Sequence, residues 1–121
     1  MIKACDLFCG AGGSSLGAHW AGVKVLIAMN HWGLALESHG SNFGDTAHML
    51  DNIGHTNLEA FPEGIDLLMA SPECTRHSTA CGKLKWTPEA EGSRATAWQV
   101  YRYAEAIKPR WLVVENVRQI E

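Results

Sequence analysis

No apolar run in this 121-residue chain is long enough to cross a bilayer. The opening residues, Met1-Ile2-Lys3-Ala4-Cys5-Asp6, lack the long apolar stretch of a signal peptide, so the cytoplasm is the expected compartment. Basic charge is not in excess: 10 Lys and Arg stand against 13 Asp and Glu, a formal net charge of −3. No overall basic face therefore argues for nucleic acid, although Lys83, Lys85, Arg94, Arg102, Lys108, Arg110 and Arg118 gather late in the chain. Cysteine is scarce. Cys5, Cys9, Cys74 and Cys81 read as reduced thiols rather than a disulfide framework. Internal repeats and low-complexity segments are absent too.

What is there is ordinary for a folded domain. Apolar residues make up 46% and charged residues 19%, which excludes a disordered chain and suffices for one core. Residues 2–8 form a short apolar run suited to a buried parallel strand. Cys9-Gly10-Ala11-Gly12-Gly13-Ser14-Ser15 follows, a glycine-rich turn into a helix that runs to Trp20, with Ser14 or Ser15 expected as its cap. Val23 to Met29 reads as a second strand, and Asn30 ends it. A helical pattern spans Trp32 to Phe43. His48 to Ile53 is a weak third strand or loop, with Asp51 near its end. Ile65 to Ala70 is the fourth strand. It empties into Ser71-Pro72-Glu73-Cys74-Thr75-Arg76-His77-Ser78, a polar loop centred on a cysteine. Residues 82–92 read as a loop, residues 94–107 as an amphipathic helix with apolar positions 97, 98, 100, 101, 104 and 107, and Trp111 to Val114 as a fifth strand.

This order predicts an α/β fold with a doubly wound, mostly parallel, Rossmann-like sheet. In such sheets ligands bind beyond the C-terminal strand ends. Gly10, Asn30, Asp51, Cys74 and Glu115 all fall there.

Each of these residues has a plainer reading. A cysteine is most often a small buried hydrophobe, which suits Cys5; Cys9 and Cys81 read as bystanders. Asp66, near the start of its strand, reads as structural. Glu115 alone would be a solvated strand end. Cys74-x-x-His77-x-x-x-Cys81 has metal-like spacing, with His39, His48 or His55 available as a fourth ligand. It lacks the paired short spacings of structural zinc, so no metal site is expected.

Taken together, the motifs resemble those of the DNA cytosine-C5 methyltransferases. Asp6-Leu7-Phe8-Cys9-Gly10-Ala11-Gly12-Gly13 is similar to the family's opening Asp-Leu-Phe-x-Gly-x-Gly-Gly. Pro72-Glu73-Cys74 is similar to its nucleophile loop, and Glu115-Asn116-Val117 to its Glu-Asn-Val motif. The Ser-Pro-Glu-Cys-Thr-x-His-Ser form resembles a phage-type branch. The sequence departs from the family pattern at Glu73 and Thr75 around the cysteine, at Asn30 in place of a ribose-binding Glu, and at Asn52 in place of an apolar residue.

The resemblance implies transfer of a methyl group from S-adenosylmethionine to C5 of a cytosine flipped out of DNA, through a covalent adduct with Cys74. It implies Glu115 and Asn116 as Cys74's catalytic partners. It also implies a cofactor site built from Phe8, Gly10, Gly12, Gly13, Asn30, His31, Asp51, Asn52 and Pro72. An acidic neighbour raises a thiol pKa, so Glu73 is expected to point away from the Cys74 sulfur. The resemblance spans essentially the whole chain. It implies that residues 1–121 are the N-terminal part of a catalytic domain, without a target recognition domain. Such a chain is a fragment, a remnant, or one half of a split enzyme whose second chain carries the remaining motifs. A cofactor-binding module without catalysis of its own stays open beside the enzyme, and behind it a small metal-binding regulator.

Overall fold

The computed structural model describes residues 1–72 and 88–116, with the backbone alone described at residues 60, 88–95 and 97. The described residues form five strands and three α-helices in the order β1 (Lys3–Leu7), α1 (Gly13–Trp20), β2 (Lys24–Asn30), α2 (Gly33–Asn42), β3 (Ala47–Leu50), β4 (Leu67–Ala70), α3 (Pro88–Ile107) and β5 (Trp111–Val114). A single 3-10 turn, Leu58–Ala60, interrupts the passage from β3 to β4. All four strand pairings are parallel, in the order β3-β2-β1-β4-β5. The expected doubly wound sheet is therefore present, and its order reverses between β1 and β4.

Alternation along the strands divides the core between two layers. Cys5 and Leu7 of β1 join Ile27, Met29, Leu68 and Ala70 on one face. Ile53, Phe61, Ile65 and the α3 residues Val100 and Tyr103 cover that face. On the other face, Ala4, Val25 and Met69 meet Ala18 of α1, while Ala28 and Cys9 meet Leu36 of α2. Tyr103 is fully buried. Its hydroxyl donates to the Ile53 carbonyl at 3.1 Å, and its ring meets Phe61 edge-on at 5.3 Å. Arg102 donates to the same carbonyl at 2.7 Å. α3 thereby clamps the segment that follows β3.

Three local expectations need correction. α1 takes Gly12, in the left-handed region at φ 107°, as its N-cap, and no side chain caps it. Ser15 instead turns inward, fully buried, and donates to Asp6 at 2.6 Å. α3 begins at Pro88, so residues 88–92 are helix rather than loop; proline suits a first helical turn because its missing N–H has no partner there in any case. The buried stripe of α3 is also rotated. Val100 and Tyr103 are buried, with Ala104 and Ile107 packed beside them, whereas Trp98 and Tyr101 are 76% and 60% exposed. Asp66 is structural as expected: its carboxylate accepts from the Lys3 N–H at 2.9 Å. Among the described residues, no helix is long and apolar enough to cross a membrane.

Candidate functional site

Strand register sets the site. Leu7 pairs with Met29 and Ala70, Asn30 with Leu50, and Ala70 with Val114. Phe8, His31, Asp51, Ser71 and Glu115 therefore follow their strands at one C-terminal edge. The glycine turn leaves that edge at the reversal between β1 and β4, where doubly wound sheets bind ligands.

At the ends of β1, β2 and β3 lies a cavity of about 240 Å³ lined by Phe8, Met29, Asn30, His31, Asp51, Asn52, Ile53 and Thr96. Five of the residues expected to bind a cofactor thus meet around one space. Phe8 holds a left-handed backbone at φ 59°, a costly conformation for an aromatic residue, and its ring packs on the core. The Oδ1 atom of Asn30 accepts from the Trp32 N–H at 3.0 Å, so the amide N–H₂ is what Asn30 can offer a ligand. Asp51 accepts from the Asn52 N–H at 2.7 Å and from the Thr56 hydroxyl at 3.0 Å, which holds its carboxylate in one orientation. Asn52 closes a turn by accepting from the Gly54 N–H at 2.9 Å. The apolar surface beside Asp51 is supplied one residue later, by the buried Ile53.

The glycines act through backbone geometry. Gly10 and Gly12 have φ of 53° and 107°. A Cβ on Gly12 would stand 2.5 Å from the Phe43 ring and 3.1 Å from the His39 ring, so the glycine turn approaches the end of α2 too closely there for a side chain unless those rings shift. Gly10 does not line the Phe8 cavity. Gly12 and Gly13 instead border a separate space of about 560 Å³ with Leu16, Trp20 and Phe43. A further space of about 540 Å³ opens near the N-terminal strand ends, by Lys24 and Asp45. Both are larger than the Phe8 cavity, and the space by Lys24 also has a ring, a carboxylate and an amide in Phe43, Asp45 and Asn42, but it lies away from the C-terminal strand ends where doubly wound sheets bind ligands.

At the ends of β4 and β5, Glu115 is exposed and borders a space of about 220 Å³ with Ser14, Ala70 and Ser71. Its N–H donates to the Ala70 carbonyl at 3.0 Å. Asn116 donates from Nδ2 to the carbonyl of the buried Pro72 at 3.4 Å. Pro72 thus meets Asn116 rather than the Phe8 cavity. Cys74, Glu73, Arg76, His77, Ser78, Cys81 and Trp86 lie outside the described residues, and with them the orientation expected of Glu73 and the alternative metal set. Among the described residues, no group of three or more His, Cys, Asp or Glu is arranged to hold a metal ion.

The two cysteines among the described residues are poorly suited to be nucleophiles. Cys5 and Cys9 are both buried. Desolvation, followed by the neighbouring Asp6 charge, pushes the Cys5 thiol far up and the Cys9 thiol up to about 12. Met29, Ile53 and Thr96 line the cavity but were missed in the sequence. Met29 ends a strand and could have been found by register; Thr96 sits on α3, far away in sequence, and carried no signal.

Comparison with known proteins gives a consistent result. The model of the family described as C-5 cytosine-specific DNA methylase matches residues 2–121. The type II methyltransferase M.HindV of Haemophilus influenzae is 36% identical over 99% of this chain, which spans 39% of that protein. M.HgiGI of Herpetosiphon aurantiacus, also a type II methyltransferase, is 31% identical, and there the chain covers 92% of the relative. A crystal structure described as a DNA modification methyltransferase encoded within an E. coli prophage superposes with a TM-score of 0.82 at 26% identity, over 99% of this chain and 33% of that one. The S. pombe Dnmt2 methyltransferase shares the fold, with a TM-score of 0.67 at 20% identity over 97% of this chain and 34% of that one. With a family match that runs from β1 through the glycine turn and the edge carrying Asn30, Asp51 and Glu115, this chain belongs to the C-5 cytosine-specific DNA methylase family.

Proposed function

We propose that the chain binds S-adenosylmethionine and carries the cytosine-activating half of a DNA cytosine-C5 methyltransferase. The observation that carries this reading is the Phe8 cavity, whose groups suit an adenosine. Phe8 and Ile53 offer apolar surface to a purine, the Asp51 carboxylate an acceptor for its amine, and the Asn30 amide a donor to a ribose oxygen. His31 and Asn52 complete the wall. Gly10, Gly12 and Gly13 let the turn after β1 approach the rest of the cofactor, and Pro72, held by Asn116, precedes Cys74 in the sequence.

The chemistry follows from what cytosine lacks. Its C5 is a poor nucleophile until a thiolate adds to C6. Cys74 is that thiolate. Glu115 holds N3 and the exocyclic amine, stabilising the ring as electron density moves to C5. Asn116, through Pro72, steadies the loop that presents Cys74. When bound, S-adenosylmethionine supplies the electrophilic methyl that the activated C5 takes up. A base then removes the C5 proton, the electron pair restores the ring double bond, and the Cys74 thiolate leaves. The target base must be flipped out of the duplex to reach these groups.

The chain spans 39% of M.HindV, and the β5 edge strand leaves Trp111, Leu112, Val113 and Val114 between 43% and 55% exposed. Parallel sheets ordinarily have both faces covered. These two observations favour residues 1–121 as the N-terminal part of a catalytic domain. Target recognition would then come from additional polypeptide, supplied in the same chain or by a second one, inside a bacterial or phage-infected cell. The test is methyl transfer from labelled cofactor to DNA, by the chain alone and with the C-terminal part of a relative added. 5-Methylcytosine in either reaction is expected. Label in adenine or on the cytosine amine, or none with any complement, would reject the reading.

A further inference from the structure

Behind the cofactor edge runs a line of polar side chains that the chemistry above does not use. Ser15 Oγ lies 2.6 Å from Asp6 Oδ2, His39 Nε2 lies 2.9 Å from Ser15 Oγ, and His48 Nε2 lies 2.8 Å from His39 Nδ1. Asp6, Ser15 and His39 are fully buried, and His48 is partly open to solvent. The four residues sit on β1, α1, α2 and β3. Each of these elements adjoins a part of the site: β1 ends before Phe8, α1 begins at the glycine turn, α2 follows Asn30 and His31, and β3 ends before Asp51.

We propose that Asp6, Ser15, His39 and His48 are positioning residues of the cofactor site, joined in a relay that ties its four elements together and carries a proton between His48 and the buried Asp6 carboxylate. The inference rests on the cofactor reading above. Donor and acceptor chemistry allows the line two orders. With Asp6 ionised, Ser15 must donate to it. Ser15 Oγ then accepts from His39 Nε2–H, and His39 Nδ1 accepts from His48 Nε2–H. Every bond points toward Asp6. A proton taken up at His48 Nδ1 reverses the line: the Nε2 proton of His48 passes to His39 Nδ1, the Nε2 proton of His39 to Ser15, and the Ser15 proton to Asp6 Oδ2. One proton enters, one carboxylate is neutralised, and each link keeps one hydrogen between its two heavy atoms.

The surroundings suit this exchange. Burial pushes the Asp6 carboxyl up to about 6 and, with His48 adjoining, holds the His39 imidazole below its ordinary range. Asp6 Oδ1 is buried with no described partner, so ionisation there is only half compensated. Among the described residues, Cys5 and Cys9 adjoin Asp6, both held neutral, and His19, Lys24 and Asp45 border the same space as Ser15. Phe43 covers His39 at 4.7 Å and also closes on Gly12, so a change at His39 reaches the glycine turn through one ring.

The test is nitrogen-15 NMR of the imidazoles, which needs no ligand, together with calorimetry using S-adenosylhomocysteine. In the wild type, His39 is expected as the Nε2–H tautomer at pH 7.5 and as the Nδ1–H tautomer near pH 5, changing in step with the Asp6 carboxyl carbon. Ser15→Ala leaves two buried polar groups unpartnered and should weaken S-adenosylhomocysteine binding about 10-fold or more at pH 7.5. An Nδ1–H tautomer at pH 7.5, or a tautomer indifferent to Asp6 titration, would overturn the relay. A folded Ser15→Ala that binds like wild type would overturn the positioning role. Wild-type protein that binds no S-adenosylhomocysteine would instead count against the cofactor reading, and the imidazole signals would still decide the relay.

Discussion

Three glycines in one turn separate backbone freedom from close packing, because the structure asks something different of each. Gly12 combines φ 107° with a Cβ position 2.5 Å from Phe43 and 3.1 Å from His39. The backbone cost of a left-handed alanine is about 1–2 kcal/mol. Displacing two packed rings adds about 1–3 kcal/mol. Gly12→Ala should therefore cost about 2–5 kcal/mol in total, on the order of 10 °C or more in Tm for a domain of this size. Gly10 has φ 53° and nothing within 4 Å of its Cβ position, so Gly10→Ala should show the backbone cost alone, about 1–2 kcal/mol. Gly13, the first residue of α1, has open space and a negative φ; Gly13→Ala should be neutral or stabilise by up to about 1 kcal/mol. Urea unfolding of the three variants, read by circular dichroism, gives the order directly. Gly12→Ala no less stable than Gly10→Ala would mean that Phe43 swings away freely, and the argument that close packing selects glycine at position 12 would fail.

Other outcomes follow from the same geometry. Asp6 is raised in the fold to about 6, so the stability tied to its neutral form is present below about pH 4 and lost as pH rises through 6. The loss approaches about 3 kcal/mol at neutral pH. Asp6→Asn should lack it, and its stability relative to wild type should grow between pH 4 and 7; parallel pH profiles would contradict this. Tyr103→Phe removes the hydroxyl that donates to Ile53 and should cost about 1 kcal/mol, while Trp98→Ala, at an exposed position, should fall within about 0.5 kcal/mol of wild type. Thermal melts distinguish the two. Thr56→Val frees one oxygen of Asp51 and should weaken cofactor binding several-fold, by about 1 kcal/mol, with little change in Tm; calorimetry checks it.

The order of elements along the chain, the parallel topology and the C-terminal placement of Gly10, Asn30, Asp51 and Glu115 were legible because apolar runs and turn residues are local signals. The partners of side chains were not. Ser15 reads as a helix cap from its neighbours, yet its hydroxyl serves Asp6, nine residues earlier, and His39, which carried only a helical or metal-ligand reading, is the other half of that contact. In α3, Trp98 and Tyr101 look like core by hydropathy, but the helix phase is set by Tyr103, which reaches Ile53 fifty residues away. Thr96 enters the cavity for the same reason. Such pairings depend on how the elements pack, which periodicity does not carry.

The central claim is that the Phe8–Asn30–Asp51 cavity holds the S-adenosyl cofactor. Titrating S-adenosylmethionine into the nitrogen-15-labelled chain and following the backbone amides tests it most directly. The account predicts saturable shifts at Phe8, Asn30, His31, Asp51 and Ile53, extending along the turn to Gly10 and Gly12, and reduced binding in Asp51→Ala. Absence of binding, or shifts confined to the larger space around His19, Lys24 and Asp45, would contradict it.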